Sequence, residues 1–277
     1  SWLAQEKWEL FSTPSMAHRF PGMLMAGLLL WVVYVFGARF FGRPAGAFAA
    51  LLLAMTPRLF YHAHLNAFDV PIVLLLTLTT YCYWRSLTRP WWAVWTGLAF
   101  GLALATKHNS WILPGVLLIH WVWVLFGEVR ARRAGEGAAV RLVPWWLLGM
   151  AALGPALFLG SWPWMWNDTW ARLDEYVGFH VHHVYYNMAY FGTNYFEPPF
   201  PVSFPFVMTL YTVPATTLAL GLGGIGRRLR AVVPPRLAER WWPDGRIAPD
   251  RRFTDVLLLG SIAAPYVVIA LPSSPIF

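Results

Sequence analysis

Apolar residues in this chain gather into long runs separated by short polar breaks, and the runs lack two-residue alternation of apolar and polar positions. That pattern predicts lipid-embedded helices and argues against the strands of an outer-membrane barrel. Eight spans are predicted, at 20–41, 45–58, 70–86, 91–106, 110–127, 142–161, 203–223 and 253–271. Several are shorter than the roughly 20 residues that cross a bilayer unaided. Such short spans beside polar breaks predict helices completed by loop residues or sheltered from lipid by their neighbours. The expectation is an all-α polytopic membrane protein, a single bundle over 1–277 with a long external loop at 162–202.

One break stands apart. The stretch TPRLFYHAHLNAFDVP, 56–71, sets Arg58, His62, His64, Asn66 and Asp69 between two apolar runs, where charge has to be accounted for. Asp69 precedes Pro71 at a predicted helix start, which suits a helix cap as well as a site carboxylate. Lys107 closes the apolar run GLAFGLALAT in the same way. An amine or guanidinium at the end of a span either snorkels to headgroups or holds an anionic ligand. Both readings stay open for Lys107 and Arg58.

Composition agrees with the pattern: 58% hydrophobic and 12% charged residues, with a mean hydropathy of +0.49, exceed what a soluble chain of this length buries. Charge then orients the chain. With the N-terminus outside, 16 of the 21 Lys and Arg residues fall on the cytoplasmic side, in the loops around 39–43, 85–89, 130–141 and 227–252. The net charge of +8 therefore reads as anchoring to an anionic leaflet. Nucleic-acid binding is excluded, because it would need one continuous basic face with stacking aromatics. The single cysteine, Cys82, falls inside a span, so no intrachain disulfide staples the external loop. The chain opens on SWLAQEKWELFSTPSMAHRF and closes on ALPSSPIF directly after an apolar run, which predicts a segment cut from a longer protein at both ends and no cleavable signal.

The predicted exterior collects seven of the 13 acids and seven of the eight histidines. The loop at 162–202 adds Asp174, Glu175, His182, His183 and Tyr186 among tryptophans and tyrosines that suit either headgroups or sugar faces. A helix is predicted over 168–180, with Arg172 near Glu175 or Tyr176. The histidine pairs at 62/64 and 180–183 leave a divalent cation as an open option, completed by Asp69, Asp174 or Glu175, although their spacing is no recognised metal signature. No phosphate loop, dinucleotide fingerprint or zinc-protease motif is present.

The segments RFPGMLMAGLLLWVVYVFGARFFGR, GAFAALLLAMTPRLFYHAHLNAFDVPIVLLLTLTTYCYW and GLAFGLALATKHNSWILP together resemble the membrane core of the protein O-mannosyltransferase and aminoarabinose-transferase superfamily, glycosyltransferases of the GT-C type (family 39-like). The resemblance covers most of 19–223 and is most specific at Pro57, Arg58 and Asp69 and at Gly101 to Lys107. It implies a GT-C-type transmembrane bundle that moves a sugar from a polyprenyl-phosphate-linked donor to a lipid or protein acceptor. The noncytoplasmic face is implied, in a bacterial inner membrane with the active side toward the periplasm, by an inverting single displacement. It implies that Arg58 and Lys107 bind the donor phosphate, that Asp69 and His64 join the catalytic set, and that His62, His182, His183, Asp174, Glu175 and Tyr186 line the donor or acceptor site. In that family a carboxylate in the loop after the first span activates the acceptor; here Glu6 and Glu9 are what remains of it. The alternative is a membrane transporter or a catalytically degenerate polyprenyl-lipid-binding relative.

Overall fold

A computed structural model of the chain describes residues 6–133, 135, 140, 143–182, 184–229, 232–233 and 249–273, the side chains of 249–252 excepted. The described residues form eleven α-helices and one two-stranded sheet, an all-α membrane architecture. They divide into two compact units, 1–117 with 125–161, and 118–124 with 162–277.

In the first unit, α1 (Pro14–Phe41) is stopped by Gly42, whose φ of 89° is open to glycine and strained for other residues. The chain turns back there into α2 (Arg43–Ala54). Gly37 and Gly46 let the two helices touch backbone to backbone: a Cβ on Gly46 would sit 2.5 Å from the Tyr34 carbonyl oxygen, and one on Gly37 2.9 Å from the Gly46 Cα. The predicted span at 45–58 is broken. Pro57 at the first position of α3 (Pro57–Ala63) restarts the helix after Met55 and Thr56, bent by 71° from α2. The freed backbone is partly satisfied locally, since the Thr56 hydroxyl donates to the Leu52 carbonyl at 3.0 Å.

The central helix is α4 (Asp69–Ser86). Its hydroxyls are satisfied internally, Thr77, Thr79 and Thr80 each donating to the carbonyl four residues back at 2.7–2.8 Å, which suits a helix with no water to bond. Leu29, Val32, Ala63, Val70 and Leu74 form a buried cluster that ties α1, α3 and α4 together. Ile72, Leu75 and Ala103 bind α4 to α5 (Trp92–Thr106). At the far end of α4, Arg85 is buried with its guanidinium 4.9 Å from the Trp92 ring centroid, a cation–π contact that replaces water.

The tightest packing joins α5 to α7 (Trp145–Ser161). Gly97 and Gly149 leave no room for a Cβ against the Gly149 and Ala93 carbonyls respectively, and a Cβ on Gly101 would lie 2.8 Å from Leu157. Small residues let backbones approach where lipid provides no hydrophobic drive between helices. Between these helices in the chain, α6 (Leu113–Arg133) contributes residues to both units. Its buried Glu128 accepts from Arg132 Nε at 3.0 Å and from the Val140 N–H at 3.3 Å.

The second unit holds α8 (Thr169–Val181), the hairpin β1 (Met188–Tyr190) and β2 (Thr193–Tyr195), α9 (Phe204–Thr212), α10 (Ala215–Leu229) and α11 (Pro249–Ile269). The hairpin is antiparallel, with Met188 opposite Tyr195, and turns on Phe191 and Gly192, both at positive φ. The predicted span at 203–223 is two helices, because Pro214 has no N–H to continue α9 and excludes the helical conformation at Val213. Thr209 and the Tyr266 hydroxyl meet at 2.7 Å, and Arg228 binds both oxygens of the fully buried Asp255 at 2.9 and 3.1 Å. His120 donates from Nε2 to the Phe253 carbonyl at 2.8 Å, an interhelical bond.

By length and hydropathy, two helices among the described residues, Pro14–Phe41 and His108–Arg133, are sufficient to cross a membrane, or three if α2 and α3 together make one bent span. Trp92–Thr106, Trp145–Ser161 and Phe253–Ile269 are shorter apolar helices.

Candidate functional site

The polar break at 56–71 folds into a short helix and a turn rather than an open loop, and this delivers its side chains to the ends of two long helices. Asp69 is the first residue of α4, with Phe68 in the capping position, so its carboxylate is not a helix cap as its place before Pro71 had suggested. It projects sideways instead. Oδ1 lies 3.4 Å from Lys107 Nζ and Oδ2 lies 3.1 Å from His62 Nδ1. The Lys107 contact is a charge-assisted hydrogen bond; the His62 nitrogen approaches off the line a hydrogen bond requires, so its attraction depends on charge.

Each partner is positioned by local structure. Lys107 leaves α5 with an extended backbone at φ −159° and ψ 138°, which turns its side chain out of the helix. The fully buried Ser110 fixes that exit, its hydroxyl and N–H both donating to the Lys107 carbonyl, at 2.8 and 3.2 Å. His62 sits in the last turn of α3, which the Leu29, Val32 and Val70 cluster holds through Ala63 and Leu59. Packing of Ile72 and Leu75 on Ala103 then brings the start of α4 to the end of α5. The Asp69, Lys107 and His62 side chains are 46%, 33% and 25% exposed, a half-open polar spot accessible to a ligand.

The other expected site residues take different places. Arg58 is exposed in the first turn of α3 and pairs with neither Asp69 nor any other described acid. His64 is exposed and its Nδ1 donates to the Phe60 carbonyl at 2.7 Å, a backbone bond within the same helix. Glu6 and Glu9 precede α1, exposed, with Glu9 at a φ of 47°. Asp174, Glu175 and Tyr186 are exposed in the second unit, and His182 donates to the Gly178 carbonyl at 3.2 Å. His183 lies outside the described residues. Arg172 turns to Trp164 and not to Glu175 or Tyr176, bonding its carbonyl and stacking 4.8 Å over its ring. Tyr176 packs edge-on against Trp162, and burial raises its phenol above the ordinary tyrosine range, which keeps it a hydrogen-bond donor. Among the described residues no three His, Cys, Asp or Glu side chains converge as a metal site.

Sequence reasoning missed Ser110 and Arg85. The spacing Lys-x-x-Ser across a helix end was a usable signal for the first. Nothing local announced that Arg85 would be buried against Trp92.

The Asp69 carboxylate is thus shared between an ammonium and an imidazole beside the first turn of α4. A family model described as dolichyl-phosphate-mannose-protein mannosyltransferase matches residues 1–164, which include Asp69, Lys107 and His62. No curated protein and no solved structure matches the chain.

Proposed function

Because the chain belongs to the dolichyl-phosphate-mannose-protein mannosyltransferase family, a glycosyltransferase family of integral membrane proteins, we propose that it transfers a hexose or pentose from a polyprenyl-phosphate-linked donor to a lipid or protein acceptor. The reaction takes place at the noncytoplasmic face, in a bacterial inner membrane with the site toward the periplasm, and the eight-span topology counts α4 and the α9–α10 segment as spans beside the six apolar segments above. The observation that carries this reading is the Asp69–Lys107 contact at 3.4 Å, which joins the two most specific segments of the family resemblance at one polar spot.

The acceptor hydroxyl attacks the anomeric carbon, the bond from that carbon to the phosphate oxygen breaks, and polyprenyl phosphate leaves. Lys107 neutralises the phosphate as its charge grows, with Arg58, exposed in the first turn of α3, as a second cation. Asp69 holds the Lys107 ammonium in the site until the donor phosphate takes it over. The hydroxyl's proton goes to a carboxylate, for which Asp69 and the Glu6–Glu9 segment are the candidates.

The test is release of polyprenyl phosphate from a panel of polyprenyl-phosphate sugars by the full-length protein in lipid, with lipid and peptide acceptors. Acceptor-dependent release, lost in Asp69→Asn and Lys107→Ala, is expected. Intact folded protein that releases nothing from any donor would overturn the reading in favour of transport or lipid binding.

A further inference from the structure

We propose that His62 is a positioning residue that decides, by its protonation, whether Lys107 is held by Asp69 or released to the donor phosphate; this rests on the donor-site reading above. The carboxylate of Asp69 has a basic side chain on each oxygen: Lys107 at 3.4 Å on Oδ1 and His62 at 3.1 Å on Oδ2. An alkyl ammonium keeps its charge across the range in which an imidazole changes its own. The His62 Nδ1 is buried and off the hydrogen-bond line, so the neutral ring gives Asp69 nothing in place of Lys107. The charged ring does: a unit positive charge at this separation attracts the carboxylate whatever the angle. With His62 protonated, Asp69 is compensated without Lys107 and the ammonium turns to the phosphate. With His62 neutral, Asp69 competes with the phosphate for the one ammonium. Donor affinity therefore falls as pH rises across the range in which an imidazole loses its charge.

The surrounding charges do not replace it. On its own helix, Arg58 is permanently charged and His64 has its Nδ1 committed to the Phe60 carbonyl. Against α3 pack α1, α2 and α4. α1 carries His18 and Arg19 in the turn before Gly22, where a Cβ would lie 3.1 Å from the Leu65 carbonyl oxygen. α2 brings no basic or acidic residue in its last turn, and α4 brings Asp69. Beyond Lys107, His108 stacks edge-on to Trp111, with ring centroids 6.0 Å apart.

The experiment measures binding of a prenyl phosphomannose diester to the full-length protein in lipid nanodiscs. A diester carries one negative charge across the whole range, so the probe itself does not titrate. Wild type is expected to weaken about five-fold between about pH 5 and pH 8, the scale of a partly exposed ion pair. His62→Gln should be flat at the weak, high-pH level. Asp69→Asn, which removes the competitor for Lys107, should be flat at the tight level, and this variant serves if His62→Gln fails to fold. Lys107→Ala should be weak at every pH. A wild-type slope retained in His62→Gln or in Asp69→Asn, with Lys107→Ala weak, would overturn this inference and leave the donor site standing. Binding of Lys107→Ala equal to wild type would overturn the donor site and this inference with it.

Discussion

Replacing Lys107 with methionine keeps most of the side chain's length and apolar stem and removes one charge. The structure sets the scale of two separate consequences. At 3.4 Å from Asp69, a unit charge pair is worth ~1 kcal/mol at the dielectric of water and ~5 kcal/mol at the effective dielectric of a protein surface. The partners are 33% and 46% exposed, so screening and side-chain entropy bring the net contribution to folding down to about 0.2–1 kcal/mol. The melting temperature in detergent should move by no more than about 4 °C for a chain of this size. A phosphate bound to the same ammonium and shut off from water is a different case, because a charge-assisted hydrogen bond there is worth about 1.5–3 kcal/mol. The kcat/KM for donor should fall roughly 10- to 150-fold. The assay is paired: thermal unfolding of purified Lys107→Met beside initial rates of polyprenyl phosphate release under subsaturating donor. A three-fold or smaller loss of kcat/KM at unchanged stability would refute the reasoning, and so would a loss of activity that merely tracks unfolding.

Other outcomes follow from the packing. Gly97→Leu forces a side chain into the Gly149 carbonyl and should cost at least ~3 kcal/mol, read as lost monodispersity and a lowered melting temperature in detergent; Gly27→Leu, with nothing within 4 Å of its Cβ, should melt like wild type. Arg228→Met strands the fully buried Asp255 and should cost ~3–5 kcal/mol; Asp255→Asn should cost less, because Arg228 keeps 26% of its side chain exposed and reaches solvent, and chemical unfolding of the two variants gives the comparison. Phe191 holds a φ of 49° at the hairpin tip, a conformation costing a residue with a Cβ about 1–2 kcal/mol; Phe191→Gly should therefore slow hydrogen exchange at Met188–Tyr190, and faster exchange would contradict the assignment of strain.

The same local chemistry that made the class of this protein readable hid its site geometry. Thr209 and Tyr266, or Arg228 and Asp255, meet across long stretches of chain, and no periodicity in either segment names the partner. The break of α2 from α3 had a local cause in Pro57, yet its 71° angle is set by how Ala63 and Leu59 pack on Leu29 and Val70. Arg58 and Lys107 looked equivalent as cations at span ends. Packing distinguished them: Ile72 and Leu75 on Ala103 carry Lys107 to Asp69, while Arg58 stays exposed one turn away from His62.

Taken alone, the amino-acid sequence determined the apolar runs, their helical character, the polar break at 56–71 and the family resemblance, because hydrophobicity and turn chemistry act over a few neighbouring residues. The tertiary structure alone decided which basic side chains Asp69 meets, that Ser110 fixes the exit of Lys107, and that glycines seal α5 against α7. Those outcomes depend on which helices abut and at what depth, a choice made by side-chain volumes summed over whole interfaces and carried by no single segment.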